Sequence, residues 1–151
     1  MIEECGFIDI PGGATGKTLL VANGPSILVD VGFDSNWNPS SNQNPIPGIR
    51  GIKALIDTGA TACCIDNMVA VQLNLPMVDR QPIGGVGGKH TANVYLAQIR
   101  VPALMHIMHG LFFGVDLKAG GQQHEVLMGR SFLAALSLSY DGKTGRVTLS
   151  K

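Results

Sequence analysis

At 151 residues, 45% of them hydrophobic and 15% charged, the chain has the composition of one globular domain rather than of a disordered segment. Its 11 basic residues balance 11 acidic ones, so no basic excess exists to neutralise a phosphate backbone or to hold the chain on an anionic bilayer. Nucleic acid and membrane are therefore excluded as expected partners, while the low charge leaves apolar surface that an oligomer interface would cover.

The first residues, Met1-Ile2-Glu3-Glu4, are acidic and lack the basic and apolar regions of a secretory signal. The three cysteines, Cys5, Cys63 and Cys64, are odd in number with two adjacent, which gives no disulfide framework. The apolar runs are short for a membrane span, so a reducing, cytoplasmic location is expected. Cys5 to Ile10 reads as a short strand ended by Pro11-Gly12-Gly13. The segment Gly12 to Thr18 imitates a phosphate-binding loop. Pro11 holds the place of that motif's first glycine, however, and Asn23-Gly24-Pro25 cuts off the helix that would follow. A hairpin turn is expected there instead.

Ser26 to Phe33 reads as a β-branched strand, and residues 34–48, rich in Asn, Ser and Pro, as a solvated loop insertion within a single domain spanning 1–151. Trp37, alone in that loop, is expected to anchor it. Lys53 to Asp57 is a strand running into the turn Asp57-Thr58-Gly59-Ala60. Asp66 is placed to cap a short helix from Asn67 to Leu73, with Val69 and Leu73 on its buried face. In Ile83-Gly84-Gly85-Val86-Gly87-Gly88 four glycines surround one valine, a backbone able to approach a ligand closely. The long strand Thr91 to Val101 follows, which makes this stretch a hairpin with a glycine-rich tip.

Leu104 to Val115 supplies another strand. Its His106 and His109 lie three apart and point to opposite faces, so no metal is expected on them. Val126-Leu127-Met128 leads through Gly129-Arg130-Ser131 into a short helix, Phe132 to Leu136. A hairpin, Leu138 to Tyr140 and Arg146 to Leu149, closes the chain around Asp141-Gly142. The 20 glycines and 5% aromatics suit a compact all-β protein.

The chemistry-bearing stretch is Ala54-Leu55-Ile56-Asp57-Thr58-Gly59-Ala60, where apolar residues deliver a carboxylate to a sharp turn. One carboxylate hydrolyses peptides poorly, because the reaction needs both a base for water and an acid for the leaving group. Two carboxyls sharing a proton supply both. The chain holds a single Asp-Thr-Gly, so a catalytic Asp57 requires the Asp57 of a second copy, in a two-fold homodimer.

This stretch resembles the catalytic segment of the retroviral-type aspartic proteases, the retropepsins. Ile83 to Gly88 resembles their flap tip, and Val126 to Leu133 resembles the apolar-apolar-Gly-Arg segment before their helix. The Arg146–Leu149 strand stands where that family builds its interfacial sheet. The three segments occur in the family's order from about Lys53 to the end.

The resemblance implies an all-β, closed, barrel-like fold with one or two short helices. It implies aspartic endopeptidase activity on an extended peptide by direct attack of water, without metal or other cofactor. Asp57 would be catalytic, Thr58 would lock the two active loops together, and Gly59 and Ala60 would offer backbone groups to substrate. Ile83, Gly84, Gly85, Val86, Gly87 and Gly88 would close over the substrate, supported from below by Gly129 and Arg130.

Two departures accompany it. Many viral members carry an acid that pairs with the arginine matched here by Arg130; this chain has Thr61 in that place, leaving Asp66 as a candidate partner. The stretch before Lys53 is also longer than in compact viral enzymes, which suits a cellular, bacterial relative. A non-catalytic peptide-binding or dimerisation module of the same fold is the alternative.

Overall fold

The computed structural model describes residues 1–85 and 87–151. In chain order the elements are β1 (Ile2–Glu4), α1 (Gly16–Asn23), β2 (Ser26–Gly32), β3 (Ile49–Ile56), β4 (Cys64–Asp66) and α2 (Asn67–Gln72). They continue with β5 (Met77–Gly85), β6 (Gly88–Val101), β7 (His106–Val115), β8 (Val126–Met128), α3 (Arg130–Leu133), β9 (Ser137–Asp141) and β10 (Arg146–Ser150).

Period-two alternation builds the main sheet. In β3, Ile52, Ala54 and Ile56 are buried between more exposed neighbours, and in β2, Ile27, Val29 and Val31 face the same core while Leu28 stays exposed. β2 pairs antiparallel with β3, β3 parallel with β8, and β8 antiparallel with β4. β4 then pairs parallel with β7, β7 antiparallel with β6, and β6 returns to β2 through Asp30↔Arg100 to Gly32↔Gln98. These six strands close on themselves, so the fold is the all-β, closed, barrel-like one expected. Closure leaves no open edge among the six and surrounds a core that includes Val29, Val31, Ile65, Ile99, Phe112, Val126 and Met128. β5 extends the sheet beyond β6 as the outer strand of a long hairpin.

The hairpin of β9 and β10 continues into β1, giving a second sheet in the order β1-β10-β9. The strand expected between Cys5 and Ile10 lies earlier, at β1. Beyond it, the Cys5 and Phe7 N–H groups still bond the Val147 and Gly145 carbonyls at 2.7 and 2.9 Å, but pairing stops there. β10 is consequently the middle strand of its sheet, with both edges satisfied within its own chain.

The segment expected to be a hairpin turn at residues 12–18 instead enters helix α1. Thr15 caps it, its hydroxyl accepting the Thr18 N–H at 3.2 Å, and Gly24, at φ +69°, ends it after eight residues. The Asp9 carboxylate accepts the Gly16 N–H at 2.7 Å, so the chain's own acid occupies the helix N-terminus.

The loop 34–48 is tied down at intervals. The Asp34 carboxylate accepts N–H groups from Asn36 and Ile46, and the Trp37 indole donates to the Gln43 carbonyl at 2.8 Å while stacking on His109. No helix among the described residues is long and apolar enough to cross a membrane.

Candidate active site

Asp57 is the first residue beyond β3, where the strand has run parallel to β8 and turns away. Its N–H donates to the Met128 carbonyl at 3.0 Å, which fixes the turn to the last residue of β8. Its carboxylate Oδ1 accepts the Gly59 N–H at 2.9 Å, and the Ala60 N–H reaches back to its carbonyl at 3.3 Å. These are the bonds of a tight Asx-type turn, and they leave the second carboxylate oxygen without a partner among the described residues. Asp57 is half-buried, while Thr58 and Gly59 are exposed.

The segment after β8 is stitched onto this turn from below. The Arg130 N–H bonds the Ala60 carbonyl at 2.9 Å, and the Ser131 N–H bonds the Thr61 carbonyl at 3.0 Å. Gly129 permits the approach: a Cβ there would overlap the Ala62 carbonyl. The Arg130 guanidinium adds two side-chain bonds, Nη1 to the Thr58 carbonyl at 2.7 Å and Nη2 to the Thr61 hydroxyl at 2.9 Å.

Asp66 is not its partner. That carboxylate is buried at the head of α2, where it accepts N–H groups from Met68, Leu117 and Lys118 at 3.1, 2.8 and 3.0 Å. Helix capping and loop closure engage both of its oxygens, and Arg130 bonds neutral acceptors instead.

Above the turn stands the β5–β6 hairpin, with Ile83 opposite His90, Gly84 opposite Lys89 and Gly85 opposite Gly88. Gly88 has φ +98°, a conformation that calls for glycine, whereas a Cβ on Gly84 or Gly85 would meet only open space. Gly87 lies in the connecting turn, and Val86, the expected flap tip, falls outside the described residues.

Between hairpin and turn lies a groove of about 430 Å³. It is lined by Gly59 to Ala62 and Cys64, by Ile83 and Gly84 of the hairpin, and by Phe113 beside Cys64, whereas Asp57 and Arg130 are not among its lining residues. Sequence reasoning missed Thr61, Ala62, Cys64 and Phe113 as lining residues. A signal for Phe113 was available: in a strand its neighbour Phe112 takes the core, which sends Phe113 to the opposite face. The register Cys64↔Phe113 then brings the pair together, and that register is invisible in a linear reading.

Burial pushes the Cys64 thiol up to about 11, with Cys63 and the Asp57 carboxylate adding to the rise. Cys63, fully buried with its sulfur 3.6 Å from the Ser131 hydroxyl, is also pushed up, chiefly by burial. Both are held as neutral thiols, unlike activated nucleophiles.

His106 packs edge-on against Phe132, whereas His109 lies under Trp37 and near Gln98, so β7 sends them to different neighbourhoods. A second hollow, about 360 Å³, lies between the 34–48 loop, Met105 to Ile107 and Lys151 and is lined by no acidic or thiol side chain.

No family model matches the chain, and no curated protein matches it. Among solved structures it is similar to the EIAV protease complexed with the inhibitor HBY-793, at 17% sequence identity, covering 74% of this chain and 86% of that chain, with a TM-score of 0.46.

Proposed function

We propose that residues 1–151 form a single aspartic endopeptidase domain that works as a homodimer, with one Asp57 from each copy at the two-fold axis. The observation that carries this reading is the setting of Asp57. Its carboxylate is oriented through one oxygen by Gly59, and the turn it opens lines, from Gly59 onward, a groove that the glycine-rich hairpin also lines.

In the paired site one carboxyl is ionised and the other protonated, since two charges so close cannot both form easily. The ionised member takes a proton from water as the water oxygen attacks the scissile carbonyl carbon. The other donates its proton to the developing tetrahedral oxygen. The intermediate collapses by breaking the C–N bond as a proton passes to the amine, and the shared proton is restored.

Thr58 locks the two loops, Gly59 and Ala60 offer backbone groups to the substrate, and Gly129 with Arg130 holds the turn. The segment Ile83 to Gly88 covers a peptide bound as an added strand.

Asp57→Asn lowers peptide cleavage at least about a hundredfold while the dimer stays folded, and the pH–rate profile of the unmodified enzyme is bell-shaped. An Asp57→Asn protein that cleaves at the original rate would sink the proposal; a flat profile with chelator sensitivity would point to a metal enzyme.

A second reading is a non-catalytic peptide-binding or dimerisation module. It is favoured by the absence of a carboxylate at Thr61 and by the enclosure of β10 within its own sheet. Peptide binding without cleavage across a diverse library would select it.

A further inference from the structure

Beside the groove, hydrogen-bonded to its lining residue Thr61, stands a cation that the described residues do not neutralise. Arg130 is exposed, and both side-chain bonds it makes go to uncharged acceptors, the Thr58 carbonyl at 2.7 Å and the Thr61 hydroxyl at 2.9 Å. The ion pairs among the described residues are Arg100–Asp30, Lys118–Glu125 and Arg146–Glu4, and none includes Arg130. The nearest acid in sequence after the active turn, Asp66, is buried and engaged by three backbone N–H groups.

Thr61 connects this charge to the groove, because the residue that accepts from Arg130 also lines the cavity. A guanidinium carries five N–H donors in a planar fork, so two bonds leave donors to spare. Near its tip, from Gln81 to His90, the covering hairpin contains Lys89 and no Asp or Glu, and its one acid, Asp79, lies further down β5, bonded to the Arg80 N–H and the Gln81 amide.

We propose that Arg130 is a specificity-determining residue, and that the Thr61 end of the groove selects an Asp or Glu side chain in an extended peptide substrate. The substrate carboxylate takes the place at the guanidinium that no acid among the described residues fills. The assignment rests on the groove being the peptide site of the function proposed above, and it narrows that function to acidic sequences. Charge-assisted bonds are roughly twice as strong as neutral ones, and exposure tempers the gain, so a preference of about threefold to tenfold over the uncharged isostere is expected.

The test uses the full chain carrying Asp57→Asn, which binds without cleaving, and short peptides bearing Glu or Gln at each position in turn. Fluorescence anisotropy is expected to find one position where Glu binds about threefold to tenfold tighter than Gln at low salt, with the gap shrinking as salt rises. Arg130→Gln, which keeps hydrogen bonding but not charge, removes the gap, and Arg130→Lys restores part of it. Should Arg130→Gln not fold, Thr61→Asp at the exposed Thr61 supplies an internal carboxylate and is expected to narrow the gap.

Equal affinities for Glu and Gln at every position, no affinity for any peptide, or a gap that survives both substitutions overturns the assignment. Cleavage by the unmodified enzyme is scored separately. A protein that prefers Glu but never cleaves keeps this inference and loses the catalytic one; a protein that cleaves without the preference does the reverse.

Discussion

Gly129 shows how little slack the active turn has. Its missing side chain lets α3 press against the turn, where the Arg130 and Ser131 N–H groups meet the Ala60 and Thr61 carbonyls. Gly129→Ala is therefore expected to destabilise the fold by about 2–4 kcal/mol, since the overlapping atom is backbone and cannot swing aside. Urea denaturation measures it, and an unchanged midpoint would show that the two segments are not locked as described.

The cysteines give a second residue-scale expectation. Burial, with help from Glu3, pushes the Cys5 thiol up to about 12 from an ordinary 9.0, and Cys64 rises to about 11. Raised values favour the protonated folded form. Above the unfolded value the unfolded chain sheds protons that the folded chain retains, so stability present at neutral pH is lost as pH climbs from 9 towards 11 and beyond. The denaturation midpoint should fall across that window, and iodoacetamide should label the native thiols slowly at pH 8 and the unfolded ones quickly. Fast native labelling at pH 8 would contradict the burial of these sulfurs.

At the scale of elements, α1 carries the clearest lesson. Its cap was present in the sequence as Thr15 three residues before Thr18, yet Gly24-Pro25 read as an early stop. Eight residues sufficed because Leu20 is buried against the core and Asp9 arrives from outside the helix to take the Gly16 N–H. Thr15→Ala should cost about 1 kcal/mol by thermal denaturation, and no loss would mean that the hydroxyl bond is not supporting the helix.

Some elements were legible in advance: β6 from alternation, the β5–β6 hairpin from glycine placement, β2 from its β-branched run, and the second half of β3, which begins at Ile49, from its apolar run into Asp57. β8, three residues long, is too short to declare a period, and the resemblance to a known segment located it instead. The partner of Arg130 was not legible either. Whether a guanidinium meets Asp66 or a backbone carbonyl depends on what α2 and the loop at Leu117 have already taken, and local sequence does not record that competition.

For the whole molecule the decisive features are the arrangements of the two sheets. The barrel closes through β2 and β6, which holds the end of β3 and the end of β8 side by side and so places Asp57 above Gly129. The small sheet places β10 between β1 and β9, so a second copy that pairs by strand addition meets the outer edge of β1 or β9 rather than β10. Asp57 remains one carboxylate per chain, and the proposed chemistry needs two. Mixing addresses that stoichiometry directly. Unmodified protein and Asp57→Asn protein are combined in equal amounts, allowed to exchange subunits, and assayed for cleavage of one peptide. If each site takes an Asp57 from both copies, only the dimers with two intact chains work, and activity falls to about a quarter of that of the same total of unmodified protein. If activity instead settles at about half, each chain carries a complete site and the shared-aspartate proposal is wrong.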